Sequence, residues 1–125
     1  IAQKAAQEAM EMPPDETRHM LEKFKERRDL MLKLLNDIPG IKTNVPTGAF
    51  YLFPDVSSFF GKSDGTTTIN NSNDLSMYLI HKVFVGVVAG DAFGTPECIR
   101  ISYATSNDLL IEAARRIKSA LAALK

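Results

Sequence analysis

Apolar positions recur at two spacings along this 125-residue chain, and those spacings lay out its elements. Residues 2–10, rich in Ala, Gln and Glu, predict a short helix that Pro13 and Pro14 end. From Asp15 to Asn36, Met20, Leu21, Phe24, Met31, Leu34 and Leu35, with Ile38 just beyond, follow helical spacing on one face. Glu22 with Lys25 and Asp29 with Lys33 mark the other face. The runs "IKTNV" and "AFYLF" are β-branched or aromatic and flank Pro46, Thr47 and Gly48, which predicts a hairpin with a three-residue turn. Residues 61–74, "GKSDGTTTINNSND", are turn formers and small polar residues, and predict a surface loop with little to bury.

The pattern returns to helical spacing from Asn73 to Lys82, with Ser72 or Asn73 as the cap and Leu75, Tyr78, Leu79 and Val83 as the packing face. A strand over Val85–Val88, a turn over 90–96 and a strand in "CIRISYA" come next. Thr105 with Asp108 resembles a capping box at the head of the last helix, which carries Leu110, Ala113, Ala114, Ile117, Leu121 and Leu124 on one stripe. Hairpins within such an order predict an α+β fold, a two-layer sandwich of mainly antiparallel sheet with helices packed on it.

Strand alternation singles out one residue. Ile99, Ile101 and Tyr103 project to one face, so Arg100, Ser102 and Ala104 project to the other. Two readings stay open at this point. Arg100 lays its stem along a solvated sheet face, or it aims a planar fork into a cleft, where small neighbours leave room for a carboxylate. Asp91 in "AGDAFG" reads as a turn residue bonding its own backbone, and Gly90 and Gly94 as turn glycines.

Composition narrows the function. Fifteen Lys and Arg balance fifteen Asp and Glu, so no net field recruits a polyanion, and nucleic acid is not an expected partner. No apolar run reaches the length of a membrane span, so no membrane partner is expected. Cys98 is the single cysteine, which excludes an internal disulfide and suits a reducing compartment; His19 and His81 stand apart among polar helical neighbours and read as surface residues, so no metal site is expected. Dinucleotide loops, P-loops and G-x-S-x-G are absent. The opening "IAQKAAQEAM" lacks both a signal core and an initiator Met, and reads as a start inside a longer chain.

Four segments, "GAFYLFPDVS" (48–57), "VVAGDAFG" (87–94), "CIRISYATS" (98–106) and "EAARRIKSAL" (112–121), stand in the order and spacing of the C-terminal part of class I pyridoxal-phosphate-dependent aminotransferases. The chain resembles the aspartate and prephenate branch, with a plant-like look in "TTTINNSNDL". The resemblance implies the small domain of fold-type I enzymes over residues 13–125, with residues 1–12 a helix that belongs with a large domain lying upstream. It places Arg100 on the arginine that grips the substrate α-carboxylate when the small domain closes, and it puts Phe50 near the cleft as a pocket wall. No catalytic or cofactor-binding residue is expected in this chain, since the Schiff-base lysine and phosphate-binding motifs of the family lie upstream.

The resemblance further implies pyridoxal 5'-phosphate, amino acid and 2-oxo acid substrates and a homodimer for the full-length enzyme, in the cytoplasm or plastid stroma. The isolated chain is expected to be inactive and to bind the cofactor at no lysine, Lys82 and Lys118 included. A non-catalytic carboxylate-binding or interaction module built on the same domain is the alternative, and a purely structural α+β domain a third. The family usually has Pro where Ala89 stands, which leaves the turn before Gly90 less rigid.

Overall fold

The computed structural model describes residues 1–125, apart from the side chain of Pro14. Helix α1 (Ala2–Glu11) runs to the extended Met12 and buries none of its residues. A 3₁₀ turn (Pro14–Thr17) leads into α2 (Arg18–Asn36). Its apolar stripe is fully buried only in the second half: Met31, Leu32 and Leu35 are buried and Phe24 is half-buried against the core, whereas Met20 and Leu21 are exposed, Leu21 to 70%. The reason is where the partner helix starts. The last helix, α4 (Asn107–Ala122), meets α2 at its first residue, where the Asn107 amide donates to Glu26 at 2.8 Å, and the turns of α2 before that point have no helix to cover them. The ion pairs on the outer face are Lys23 with Glu26 and Arg28 with Asp29, not the pairs the helical spacing suggested.

Three short antiparallel strands form the sheet, β1 (Tyr51–Leu52), β2 (Val88–Ala89) and β3 (Ile99–Ser102), in the order β1-β3-β2. Tyr51 pairs with Ser102 and Leu52 with Ile101; on the other side Val88 pairs with Arg100 and Ala89 with Ile99. The bridge of Asp55 to Cys98 continues the β1–β3 register. Leu52, Ile99 and Ile101 point inward and join Leu35 of α2, Leu75 and Leu79 of α3 (Ser72–Val83), and Ile117 and Leu121 of α4 in a single core. Among the described residues no helix covers the opposite sheet face, where Tyr51, Val88 and Ser102 are exposed. This is the α+β architecture of helices on an antiparallel sheet that the sequence pattern predicts.

The hairpin over 41–53 is not formed. Residues 41–45 touch the sheet through one bridge, Lys42 to Asp55, and β1 takes the distant β3 as its partner instead. The Lys42–Asp55 register would set Pro46 against Tyr51 at a position that must donate a hydrogen bond, and proline has no N–H. The chain turns through Ala49, at φ 62°, and Phe50 offers its carbonyl to the Tyr103 amide at 2.9 Å. The strand expected at Val85–Val88 also moves: Phe84 adopts a left-handed conformation (φ 57°) to cap α3, and pairing begins only at Val88.

Both expected caps shift by a residue or so. Asn71 caps α3 by accepting from the Asp74 amide at 2.9 Å, and Asp74 reaches back to the Asn70 amide at 2.9 Å. Ser106, not Thr105, caps α4. The 61–74 loop is better anchored than its composition suggests, because Ile69 is fully buried and its amide and carbonyl bond Lys62 and Gly61. Asp64 organises the tip: its Oδ1 accepts from the Thr66 hydroxyl (2.7 Å) and from the amides of Thr66 (2.9 Å) and Thr67 (2.8 Å), and its Oδ2 lies 3.0 Å from Lys82 Nζ. No helix among the described residues is long and apolar enough to cross a membrane.

The Thr66 hydroxyl, then the Thr66 amide, Lys82 and the Thr67 amide, hold the Asp64 carboxyl well below the usual aspartate range. An unfolded aspartate titrates near ~3.9. The native value is lower, so the stabilisation is fully present above about pH 4 and is lost as the pH falls toward the native value. The gap in melting temperature between the parent chain and Asp64→Asn should therefore narrow from about pH 6 to about pH 2; a gap that stays constant would contradict this.

Candidate functional site

The alternation along β3 decides what faces outward. Ile99, Ile101 and Tyr103 are buried, Ser102 is exposed and Arg100 is half-buried. β3 is the central strand, so Arg100 stands in the middle of the open face with Val88 across from it on β2. The continuing register sets Phe53 across from it on the β1 side. Ser102, expected only to leave space, spends its hydroxyl on the local backbone, near the Phe50 carbonyl (3.5 Å) and accepting from the Ala104 amide (3.2 Å).

The guanidinium of Arg100 lies over two aromatic rings, its Cζ 4.5 Å from the centroid of Phe93 and 5.3 Å from that of Tyr51. It makes no hydrogen bond or ion pair among the described residues. Arg18, Arg28, Arg115 and Arg116 all engage an aspartate or glutamate. Arg27 also rests on a ring, Phe24, on α2 rather than on the sheet strands. Arg100 thus combines a fixed charge, five N–H donors and no protein acceptor, an arrangement that can receive a carboxylate through two parallel hydrogen bonds.

Phe93 reaches this position through an unusually constrained turn. Residues Gly90–Phe93 form a 3₁₀ turn that ends on Gly94 at φ 76°. A Cβ on Gly90 would lie 2.2 Å from the Thr95 carbonyl oxygen and 2.4 Å from that of Cys98, so only glycine fits. Asp91 serves the turn with its backbone carbonyl, which accepts from the Gly94 amide at 3.1 Å. Phe93 then packs edge-on against Phe53, at 6.0 Å and 89°. Phe50 is 52% exposed and does not reach Arg100; its ring contacts Phe24 and, edge-on, Tyr51. Sequence reasoning missed Tyr51, Phe53 and Phe93: alternation in "AFYLF" sets Tyr51 and Phe53 on a shared face, but only the β1–β3 register makes it the face of Arg100, and nothing local in "GDAFG" announced Phe93.

A depression of about 360 Å³, walled by Asn44, Pro46, Tyr51 and Phe53 among others, runs along the same face. A cavity of about 520 Å³ lies elsewhere, between the start of α3 and the 90–93 turn; its one charged lining residue is Asp91, which repels a carboxylate. Burial pushes the Cys98 thiol up, with Asp55 and Glu97 adding to the effect, so Cys98 remains a neutral thiol. His19 and His81 are exposed. No group of three or more potential metal ligands occurs among the described residues.

Fold and site together define an α+β domain that presents one acceptor-free guanidinium from an open sheet face. Residues 1–117 match the family model "Aminotransferase class I and II". The chain is 50% identical over 107 residues to a bifunctional aspartate aminotransferase and glutamate/aspartate-prephenate aminotransferase of Petunia hybrida, covering 85% of this chain and 22% of that protein. It is 43% identical over 123 residues to a probable aspartate/prephenate aminotransferase of Aquifex aeolicus, covering 97% of this chain and 30% of that protein. The crystal structure of the aspartate aminotransferase from Rhizobium meliloti superimposes with a TM-score of 0.88 at 40% identity, over 94% of this chain and 30% of that one. The chain belongs to the class I and II aminotransferase family, and it spans less than a third of the length of these relatives.

The cofactor of this family needs a lysine to hold it and donors for its phosphate. Lys82 is engaged by Asp64 and Thr66, Lys62 lies over the Phe59 ring and Lys118 is exposed on α4. No lysine contacts Arg100 among the described residues, and the rings nearest it are already stacked on the guanidinium. The residues of this face suit a carboxylate; they do not make a pyridoxal phosphate site by themselves.

The 3₁₀ turn behind Phe93 makes two adjacent positions respond oppositely. Ala89 already has φ −61°, the proline value, and because Gly90 donates to the Cys98 carbonyl at 2.8 Å the Ala89 N–H points away from β3. Ala89→Pro should raise stability by about 0.4–1 kcal/mol, chiefly by restricting the unfolded chain, while Gly90→Ala should cost about 2 kcal/mol or more. Thermal unfolding of the two variants beside the parent tests both signs.

Proposed function

We propose that this chain is the C-terminal small domain of a pyridoxal-phosphate-dependent aminotransferase of the aspartate or prephenate type, transferring amino groups between an amino acid and a 2-oxo acid. The observation that carries the reading is the Arg100 guanidinium, fixed on the open sheet face with no acceptor of its own. Its role is to bind and orient. Two N–H groups of the fork grip both oxygens of the substrate α-carboxylate, and closure of the domain removes water, which strengthens the pair. The names of the relatives, at 40–50% identity, support the substrate class. Pyridoxal phosphate would supply the electron sink, held by residues outside this chain.

Residues 1–12 would sit against the large domain, consistent with a first helix that buries nothing within this chain. The full-length enzyme would work as a homodimer. Phe50, in contact with Tyr51, would border the cleft without touching the carboxylate.

In the full-length enzyme, Arg100→Ala should lower kcat/KM for aspartate by roughly 30-fold to several thousand-fold, as expected for loss of about 2–5 kcal/mol of charge-assisted binding. Arg100→Lys keeps the charge without the fork and should fall between. The melting temperature should hold, because the buried face of β3 is untouched. Near-parental kcat/KM in Arg100→Ala, or loss of activity only through unfolding, would overturn the assignment. The isolated chain mixed with pyridoxal phosphate should show neither turnover nor a borohydride-reducible adduct at one lysine, and finding both would refute its dependence on an upstream cofactor site.

A further inference from the structure

Phe93 and Tyr51 are large aromatic residues left 47% and 37% exposed, so burial of their own surface does not explain where they are held. Each is fixed from behind. Phe93 is delivered by a turn that tolerates only glycine at residue 90 and is braced edge-on by Phe53. Tyr51 is set by its β1 pairing with Ser102 and braced edge-on by Phe50. Both ring faces are presented to the same guanidinium.

We infer that Phe93 and Tyr51 are positioning residues, which hold the Arg100 fork in the orientation that receives a carboxylate; this rests on the carboxylate-binding reading of Arg100. An arginine side chain has four rotatable bonds, and a fork free to sample them would lose that freedom when it binds. Ring faces attract the cation electrostatically but accept none of its in-plane N–H hydrogen bonds. An acidic partner would hold the fork equally well and would occupy the donors that the substrate needs. Aromatic restraint therefore orients the group while leaving its edge open, and it shields the faces of the cation from water.

The test uses the full-length holoenzyme. Phe93→Leu keeps an apolar side chain and removes the ring; it should lower kcat/KM for L-aspartate by about 3- to 30-fold, the range of one cation–π contact. The Kd for succinate, a carboxylate that cannot transaminate, should rise by a similar factor, and Phe93→Tyr should recover most of both losses. Tyr51→Leu supplies an independent second variant with the same expected pattern. The decisive comparison is the Arg100→Ala background, where Phe93→Leu and Tyr51→Leu should have no further effect, because the group they position is gone. Equal losses with and without Arg100 would mark the rings as merely structural and overturn the inference. So would unchanged succinate binding in Phe93→Leu and Tyr51→Leu while Arg100→Ala binds it poorly, and in that case the Arg100 assignment would survive. If Arg100→Ala itself binds succinate and turns over as the parent does, the carboxylate reading falls, and the positioning role falls with it.

Discussion

The rest of the structure depends on the register of β3 within the sheet. Burying Ile99, Ile101 and Tyr103 in the same layer as Leu35, Leu79 and Ile117 contributes roughly 1.5–3 kcal/mol for each large side chain, and only one parity of the strand achieves it. A slip of one residue would turn all three out to solvent and drive Arg100 into a core with no acid to meet it. The same alternation runs through residues 51–56, where Leu52, Pro54 and Val56 are buried and the residues between them are not. Two antiparallel segments with matching parity leave a sheet with one sealed face and one open face. The charge sits in the middle of the open one because β3 is the central strand.

From that constraint the supporting features follow in order. The helices cover only the sealed face, and their exposed ends mark where the covering stops: α1 entirely, and the first turns of α2. The open face is furnished by loops and turns at the ends of the strands. The 90–93 turn needs glycine behind it because two carbonyl oxygens occupy the space where a Cβ would stand, and that close approach is what carries Phe93 across to Arg100. On the other edge, the Tyr103 hydroxyl donates to the Ala49 carbonyl at 2.9 Å and its amide to Phe50, which ties the irregular 47–50 segment to the core and with it the base of Tyr51. Structural bonds made on the buried side thus fix the geometry of groups on the exposed side.

The placement of charge on this face also fits an anionic ligand that must come and go. Arg100 has no acid opposite it, whereas the acid two positions along the ladder, Asp55, is committed to Ser57, whose hydroxyl and amide hold its carboxyl below the usual range. An open face with a restrained guanidinium suits the proposed role of one wall of a substrate cleft.

How much of this was legible in the sequence differs by element for physical reasons. Helical stripes are local, so the spacing of Leu110, Ala114, Ile117 and Leu121 located α4, and strand parity at residues 99–103 placed Arg100 opposite the greasy face before any partner was known. The resemblance to aminotransferases was likewise carried by short ordered segments. Strand pairing is not local: β1 joins β3 across some fifty residues in preference to the adjacent 41–45 run, because Pro46 cannot donate and only the assembled core shows which partner can. The caps of α3 and α4, the burial of Ile69 and the exposure of Leu21 likewise depended on which neighbours arrived. The sequence by itself determined the helices, the two-faced strand and the identity of the outward arginine, since each is set by periodicity within a few residues. Only the tertiary structure decided that Phe93 and Tyr51 converge on that arginine, because a ring from a turn and a ring from another strand meet one guanidinium only after the sheet has closed its register.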